Sequence, residues 1–240
     1  MRPSIGIVRT TGAGSALACV FACLVHGTAA AGSVGVYPAM APIAQYQAAS
    51  QDEEVALAKS AAPKDIGDHA EVMAFGPKGY ETVVKGSNGF VCLVQRAWAD
   101  DFDNPEFWNP KLRGPLCLNP AAVRSILPDY LKRTQWVLAG VSKDEMLART
   151  KAEVASKEIK APEPGAMSYM LAKGGYLGDA AGGHWHPHVM FFEPPTDPKQ
   201  WGADVSGGEV YSFTSDVEPV TIFFVLAPKW SDGTPAEDHH

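Results

Sequence analysis

The sequence predicts a single-domain α+β protein with a mainly antiparallel sheet and a helical middle segment. Three observations support this class. Short apolar runs separated by turn sequences fill residues 71–96, capping signals with helical spacing fill residues 119–158, and strand-like runs return between residues 167 and 226. Strands, then helices, then strands again argue against alternating βαβ units. The chain of 240 residues is 46% apolar and 20% charged, which is sufficient for one substantial core.

Residues 1–30 have the order of a secretory signal peptide. Arg2 and Arg9 occur with no acidic residue, an apolar run covers residues 16–25, and small residues follow, so that cleavage is expected after Ala30 or Ala31. The apolar run has about ten residues, whereas a membrane span needs about twenty. We therefore expect export to the periplasm or the medium, without a transmembrane anchor.

The net charge narrows the range of partners. It is −7 for the whole chain, and loss of the two arginines of the signal peptide would make it −9. An exported chain this acidic is a poor candidate for binding nucleic acid or anionic membranes. A small-molecule ligand is compatible with these data, and nothing in the sequence indicates an oligomeric state.

Residues 31–64 predict a linker followed by a short N-terminal helix. The first part is rich in Ala, Pro and Gly and shows no periodicity. Ser50 and Glu53 then form a capping box for a helix from Asp52 to Ser60. The α+β domain is expected over residues 65–232, with a mobile tail at 233–240.

Three strands are predicted at the start of this domain, and turn sequences join them as an antiparallel meander. Their ranges are Glu71–Phe75, Tyr80–Lys85 and Phe90–Arg96. Residues 98–114 predict an irregular loop. The later strands are Met167–Leu171, Val189–Phe192, Val210–Phe213 and Thr221–Leu226.

The helical middle begins at Asn119, a good N-cap, which Pro120 follows at the first helical position. Pro128 interrupts the helical pattern, so we expect a kink or two short helices. Ser142 starts a second capping box, and its helix is predicted to continue to about Glu158.

Cys92 and Cys117 are the two cysteines that remain after removal of the signal peptide. An even pair in an oxidising compartment predicts a disulfide bond. The alternative, a reactive or metal-binding thiol, is disfavoured because bulky apolar residues flank Cys92 and raise the pKa of a thiol.

Three histidines within five residues, His184, His186 and His188, are the candidate metal ligands. In an extended segment they share one face, and imidazoles on one face bind Zn, Cu or Fe. His184 and His188 would be about 13 Å apart in a straight strand, so one ion needs a bent backbone or a further ligand. The candidates for that further ligand are Asp179, Glu193 and His69. A site with three protein ligands leaves a position for water, so an enzymatic role would be that of a metal-dependent hydrolase or oxidoreductase.

Two other interpretations of the histidines stay open. They could be structural groups in a non-catalytic envelope or extracellular binding module that contains no metal, or they could line a pH-sensitive ligand pocket. The preceding stretch, residues 173–183, has five glycines and would form either a lid over the histidines or a plain connection. Beyond residue 30, Gly-x-Ser-x-Gly, His-Glu-x-x-His and Cys-x-x-Cys motifs are absent, which argues against serine hydrolases, zincins and thioredoxin-like proteins.

Several segments resemble known patterns. Gly178, His184 and His186 are similar to the first cupin motif, but Glu193 comes too late and a second motif is missing. The chain also resembles an uncharacterised family of exported bacterial proteins. That resemblance is carried by the stretches Ser87–Val94, Phe107–Pro110, Pro164–Met170, Gly183–His188 and Lys229–Gly233. It implies export and a shared fold over residues 50–235, and it transfers no activity.

Overall fold

The structure is a computed structural model that describes residues 37–179, 183 and 185–236. The predicted signal peptide, His184 and the last four residues of the predicted tail lie outside the described residues. The described part contains five α-helices and an eight-stranded, mostly antiparallel sheet, which confirms the predicted α+β class.

The helices are short and lie before and within the sheet-forming sequence. They are α1 (Gln51–Lys59), α2 (Lys64–Gly67), α3 (Pro120–Ser125), α4 (Leu127–Leu138) and α5 (Lys143–Ala155). The strands are β1 (Glu71–Gly76), β2 (Gly79–Val84), β3 (Val91–Gln95), β4 (Gly114–Leu118), β5 (Met167–Met170), β6 (His188–Glu193), β7 (Val210–Thr214) and β8 (Thr221–Leu226).

The strand order is β2-β1-β3-β4-β5-β6-β8-β7. The predicted meander of the first three strands is wrong, because β3 pairs with β1 in parallel and not with β2. The chain returns past the start of β1, where an added Cβ on Gly86 would lie 2.1 Å from the backbone nitrogen of Glu71. Glycine at this position permits the close crossing that places β3 on the other edge of β1.

Strand β4 has no counterpart among the predicted strands. It follows directly after the predicted loop and contains Pro115, which lacks a backbone donor. Its pairing with β3 places Cys92 directly opposite Cys117, and the predicted disulfide bond joins them. Both cysteines are fully buried beside α1, in a cluster with Ala58 and Val94.

The predicted helix starts are confirmed by side-chain caps. Ser50 Oγ accepts a hydrogen bond from the Glu53 amide, and Ser142 Oγ accepts one from the Glu145 amide. The predicted interruption near Pro128 is a break between α3 and α4 at Ile126, so that the proline stands in the first turn of α4.

The two faces of the sheet are covered differently. Helix α1 packs on one face of β1, β3 and β4, and α3 and α4 pack on the opposite side, against β4, β5 and β2. Beyond β5, the face on the α4 side is left open toward the edge strand β7. Of the helices that the structure describes, none combines the length and apolar character of a membrane span.

Candidate functional site

A cleft of about 780 Å³ lies on the open part of this sheet face. Strands β5, β6, β8 and β7 form its floor. One wall is formed by the last residue of α3 and the first part of α4, and the other wall is formed by the loop over residues 99–105. This volume is within the range of about 300 to 1,000 Å³ that small-molecule sites occupy.

The floor of the cleft is apolar because of strand alternation. Met190 and Phe192 of β6 point to this face, and their cross-strand partners Phe224 and Ile222 of β8 point the same way. Phe213 of β7 completes the floor and is 37% exposed. Large apolar side chains left open in a concave site are typical of ligand-binding surfaces.

Acidic groups dominate the charged lining. The cleft is lined by six carboxylates and three cationic side chains. The carboxylates belong to Asp100, Asp101, Asp103, Asp129, Asp216 and Glu218, and the cations to Arg96, Arg133 and Lys160.

Two of the three cations already have partners within the fold. Arg96 is fully buried and both carboxylate oxygens of Glu54 accept hydrogen bonds from its Nη2 at 2.8 Å. Arg133 donates from Nη1 to the carbonyl oxygens of Trp98 and Asp100, and from Nη2 to Glu218 at 2.6 Å. The arginines therefore position the walls and are largely neutralised.

Two carboxyls of the lining are protonated more readily than usual. Burial, and then the negative charge of Glu106, raise the pKa of Asp100 to about 6. Burial, and then the negative charge of Glu218, raise the pKa of Asp129 to about 6. Carboxyls with raised pKa values in a cleft are common at functional sites, although structural clusters produce them too.

His188 stands on the floor at the start of β6 and is 8% exposed. The carbonyl oxygen of His186 accepts a hydrogen bond from His188 Nδ1 at 2.8 Å, so the lone pair of the neutral ring is on Nε2. Burial lowers the pKa of His188 and keeps the ring neutral. Nε2 is buried and has no hydrogen-bond partner among the described residues.

Aromatic rings enclose this imidazole. Trp185 meets His188 edge-on at a centroid distance of 5.7 Å, and Phe224 does so at 5.4 Å. On its other side Trp185 packs against Trp230. The indole nitrogen of Trp185 is buried and, within the described chain, also lacks a hydrogen-bond partner.

The structure describes two of the three predicted histidine ligands, His186 and His188. His184 lies outside the described residues, His186 is half-buried, and His188 faces the cleft. Within residues 37–179, 183 and 185–236, no group of three His, Cys, Asp or Glu side chains is arranged to hold a metal ion.

The first candidate for a further ligand, Asp179, has a carboxylate that already holds three donors. Tyr37 Oη and Lys111 Nζ each donate to it at 2.5 Å, and Tyr176 Oη donates as well. These bonds, with that from Lys111 first, hold the pKa of Asp179 well below its usual range. These contacts fasten the glycine-rich loop to Tyr37 and Lys111, and the role of Asp179 as a further metal ligand stays a prediction.

The other two candidates are distant from His188. Glu193 ends β6 five residues later, about 16 Å along the strand, and points to the opposite face. His69 lies beside β1, which is four strands from β6, a separation of about 19 Å. Its Nδ1 donates to the carbonyl oxygen of Asp65.

The glycine-rich stretch contributes close packing. An added Cβ on Gly175 would lie 2.8 Å from the ring of Trp185, and one on Gly183 would lie 2.4 Å from the ring of Tyr176. These glycines let aromatic rings rest directly on the backbone. Whether the loop also acts as a lid stays a prediction.

Sequence reasoning missed the cleft residues Asp100, Asp129, Arg133 and Glu218. The acidic run at residues 100–103 lies in the stretch predicted only as a loop, and Asp129 and Arg133 stand one turn apart on a helix. The three aspartates that closely follow Trp98 were the one sequence signal for an acidic site in this loop. The contact of Glu218 with Arg133 depends on the tertiary fold and has no such signal.

Comparisons of the chain with protein-family models, with curated proteins and with solved structures gave no match. The family resemblance therefore stays a prediction.

Proposed function

We propose that this protein is a binding module that holds a small molecule with an apolar body in the cleft over β6 and β8. The observation that carries the proposal is an open, apolar sheet face of small-molecule size that contains a buried, unpartnered imidazole nitrogen. A buried polar atom without a partner costs about 1 to 3 kcal/mol, and a ligand donor would recover part of this. Export to the periplasm or the medium, predicted from residues 1–30, fits a module that meets its ligand outside the cytoplasm.

A fluorescence titration with the neutral apolar dye N-phenyl-1-naphthylamine tests this proposal. We expect saturable binding to the chain without residues 1–30, and at least tenfold weaker binding to Ile222→Trp, which fills the floor. Val205→Trp is the matched control, because Val205 is 55% exposed and does not line the cleft. Its affinity should equal that of the wild type.

A second variant, Ser125→Trp, fills the cleft from the wall formed by α3 and keeps the test valid if Ile222→Trp does not fold. Circular dichroism would establish folding for each variant. Equal dye binding by the wild type and by a folded cleft variant would contradict the proposal, as would the absence of saturable binding.

Transition-metal binding is the second candidate function. The observation in its favour is the orientation of His188, whose Nδ1 donates to a backbone carbonyl and whose Nε2 keeps its lone pair. Metal-bound histidines are commonly oriented by such a bond. Zn, Cu or Fe would then be held by His188 with His184 and His186, and such a site would support hydrolysis or oxidation at an open coordination position.

Metal analysis of tag-free protein tests this second candidate. We expect about one equivalent of metal in the wild type and in the control His69→Ala, and none in His184→Ala/His186→Ala. Equal, near-zero metal in all three proteins would eliminate it.

A further inference from the structure

The lining of the cleft carries an unbalanced negative charge. Glu54 neutralises Arg96 from outside the cleft, and Glu218 pairs with Arg133. Lys160 is then left to balance the remaining carboxylates, and its side chain is exposed. These carboxylates would attract a positively charged ligand into the cleft.

Two of these carboxylates, those of Asp100 and Asp129, are partly shielded from water, which strengthens their electrostatic interactions. Asp100 and Asp129 are half-buried, and the Arg133 guanidinium, one helical turn after Asp129, donates to the carbonyl oxygen of Asp100 and so joins their segments. Burial is the main cause of the raised pKa of each carboxyl, and the neighbouring Arg133 opposes it only in part.

The polar atom on the floor requires a donor. His188 Nε2 is a buried acceptor without a partner in the described chain, and an ammonium group offers only donors. An alcohol can also donate, whereas a carboxylate cannot. The hydrogen-bonding requirement of His188 Nε2 therefore disfavours anions. The carboxylates of the lining disfavour anions as well, because they repel negative charge.

The length of the floor limits the size of the ligand. His188 and Phe192 lie on the same face of β6, four residues and about 13 Å apart. The surface between them is formed by Met190, Phe224 and Ile222, and it suits an alkyl or aryl body.

We infer that the ligand is a small organic ammonium ion, whose apolar body lies on β6 and β8 and whose charge is balanced by Asp100 and Asp129. This inference rests on the proposed small-molecule function and specifies the ligand class of the same cleft.

Three probes of matched shape test the inference by isothermal titration calorimetry at pH 7.5: 4-phenylbutylammonium, 4-phenylbutanol and 4-phenylbutyrate. We expect the ammonium ion to bind at least tenfold more tightly than the alcohol, and the carboxylate to bind most weakly. In Asp100→Asn/Asp129→Asn the ratio of ammonium to alcohol affinity should fall to about one. Asp68→Asn, a change far from the cleft, should keep the wild-type ratio.

Equal affinity for the three probes, or no binding of the ammonium ion, would overturn the inference. A preference for ammonium that persisted in Asp100→Asn/Asp129→Asn would overturn it as well. If the double variant does not fold, Asp129→Asn alone should reduce the ratio at least threefold, and an unchanged ratio would count equally against the inference. The dye titration decides the proposed function separately, because that probe is neutral.

Discussion

Arg96 is a charged residue at the centre of the core, and each nitrogen of its guanidinium has a hydrogen-bond partner. Besides Glu54, the carbonyl oxygen of Tyr46 accepts a hydrogen bond from its Nε at 2.6 Å, and the ring of Phe75 lies 5.0 Å from its central carbon. These contacts join the start of the described chain and α1 to the end of β3. Such a buried charge is compatible with stability only while its partner is present.

Arg96→Met is therefore expected to lower the free energy of unfolding by about 3 to 5 kcal/mol, because it leaves Glu54 as an unpaired buried charge. Arg96→Met/Glu54→Leu should recover a large part of this loss. Urea unfolding of the oxidised protein measures both values. A loss below about 1 kcal/mol in the single variant would show that Glu54 finds another partner.

The ionised carboxylate of Asp129 is expected to destabilise the folded protein at neutral pH. Its pKa is raised to about 6 in the fold, compared with about 3.9 in an unfolded chain. The folded state binds more protons between these values, so the free energy of unfolding should fall as the pH rises from about 4 to 6. Asp129→Asn should weaken this fall and stabilise the protein at pH 7 by about 1 kcal/mol, after allowance for solvent screening.

Urea unfolding at pH 4, 5, 6 and 7 measures this effect. The control is Asp68→Asn, because the pKa of Asp68 is lowered through its hydrogen bond with Lys64 and its removal should not stabilise the protein at pH 7. Identical pH profiles for Asp129→Asn and the wild type would contradict the assignment.

At the scale of elements, local signals predicted most helices and strands but not their pairing. Ser50, Asn119 and Ser142 act within one turn of the chain, so their caps could be read directly from the sequence. The parallel pairing of β1 with β3 depends instead on how the chain passes Gly86, which is a tertiary contact. Strand β4 was missed because its five residues include Gly114 and Pro115.

The loop before β6 tests how closely the aromatic cluster is packed. Gly175→Ala would place a methyl group 2.8 Å from the Trp185 ring and 3.0 Å from Pro115 Cδ. We expect a loss of about 1 to 3 kcal/mol and a changed near-ultraviolet circular dichroism spectrum. Gly174→Ala is the matched control, because its Cβ would make an ordinary contact of 3.4 Å with Leu57. Equal stability of the two variants would contradict close packing at Trp185.

At the scale of the whole molecule, the acidic composition was visible in the sequence, but the location of the cleft was not. Asp100, Asp129, His188 and Glu218 are far apart along the chain, and the strand order and the break at Ile126 bring them to one cavity. Of the predicted histidines, His188 lies on β6 and lines this cleft. The residues around β6 could not be predicted from the sequence, because the long-range pairing of β6 with β8 decides which side chains share a face with His188.

The methionine methyl groups offer the most direct test of whether this cleft is the binding site. Met170 and Met190 line it, whereas Met40 and Met146 do not. In a ¹³C-methyl NMR titration with N-phenyl-1-naphthylamine, with signals assigned by Met→Leu variants, we expect saturable shifts of Met170 and Met190 alone. Shifts at exposed Met40, or none at Met190 while the dye binds, would contradict a ligand site on this face of the sheet.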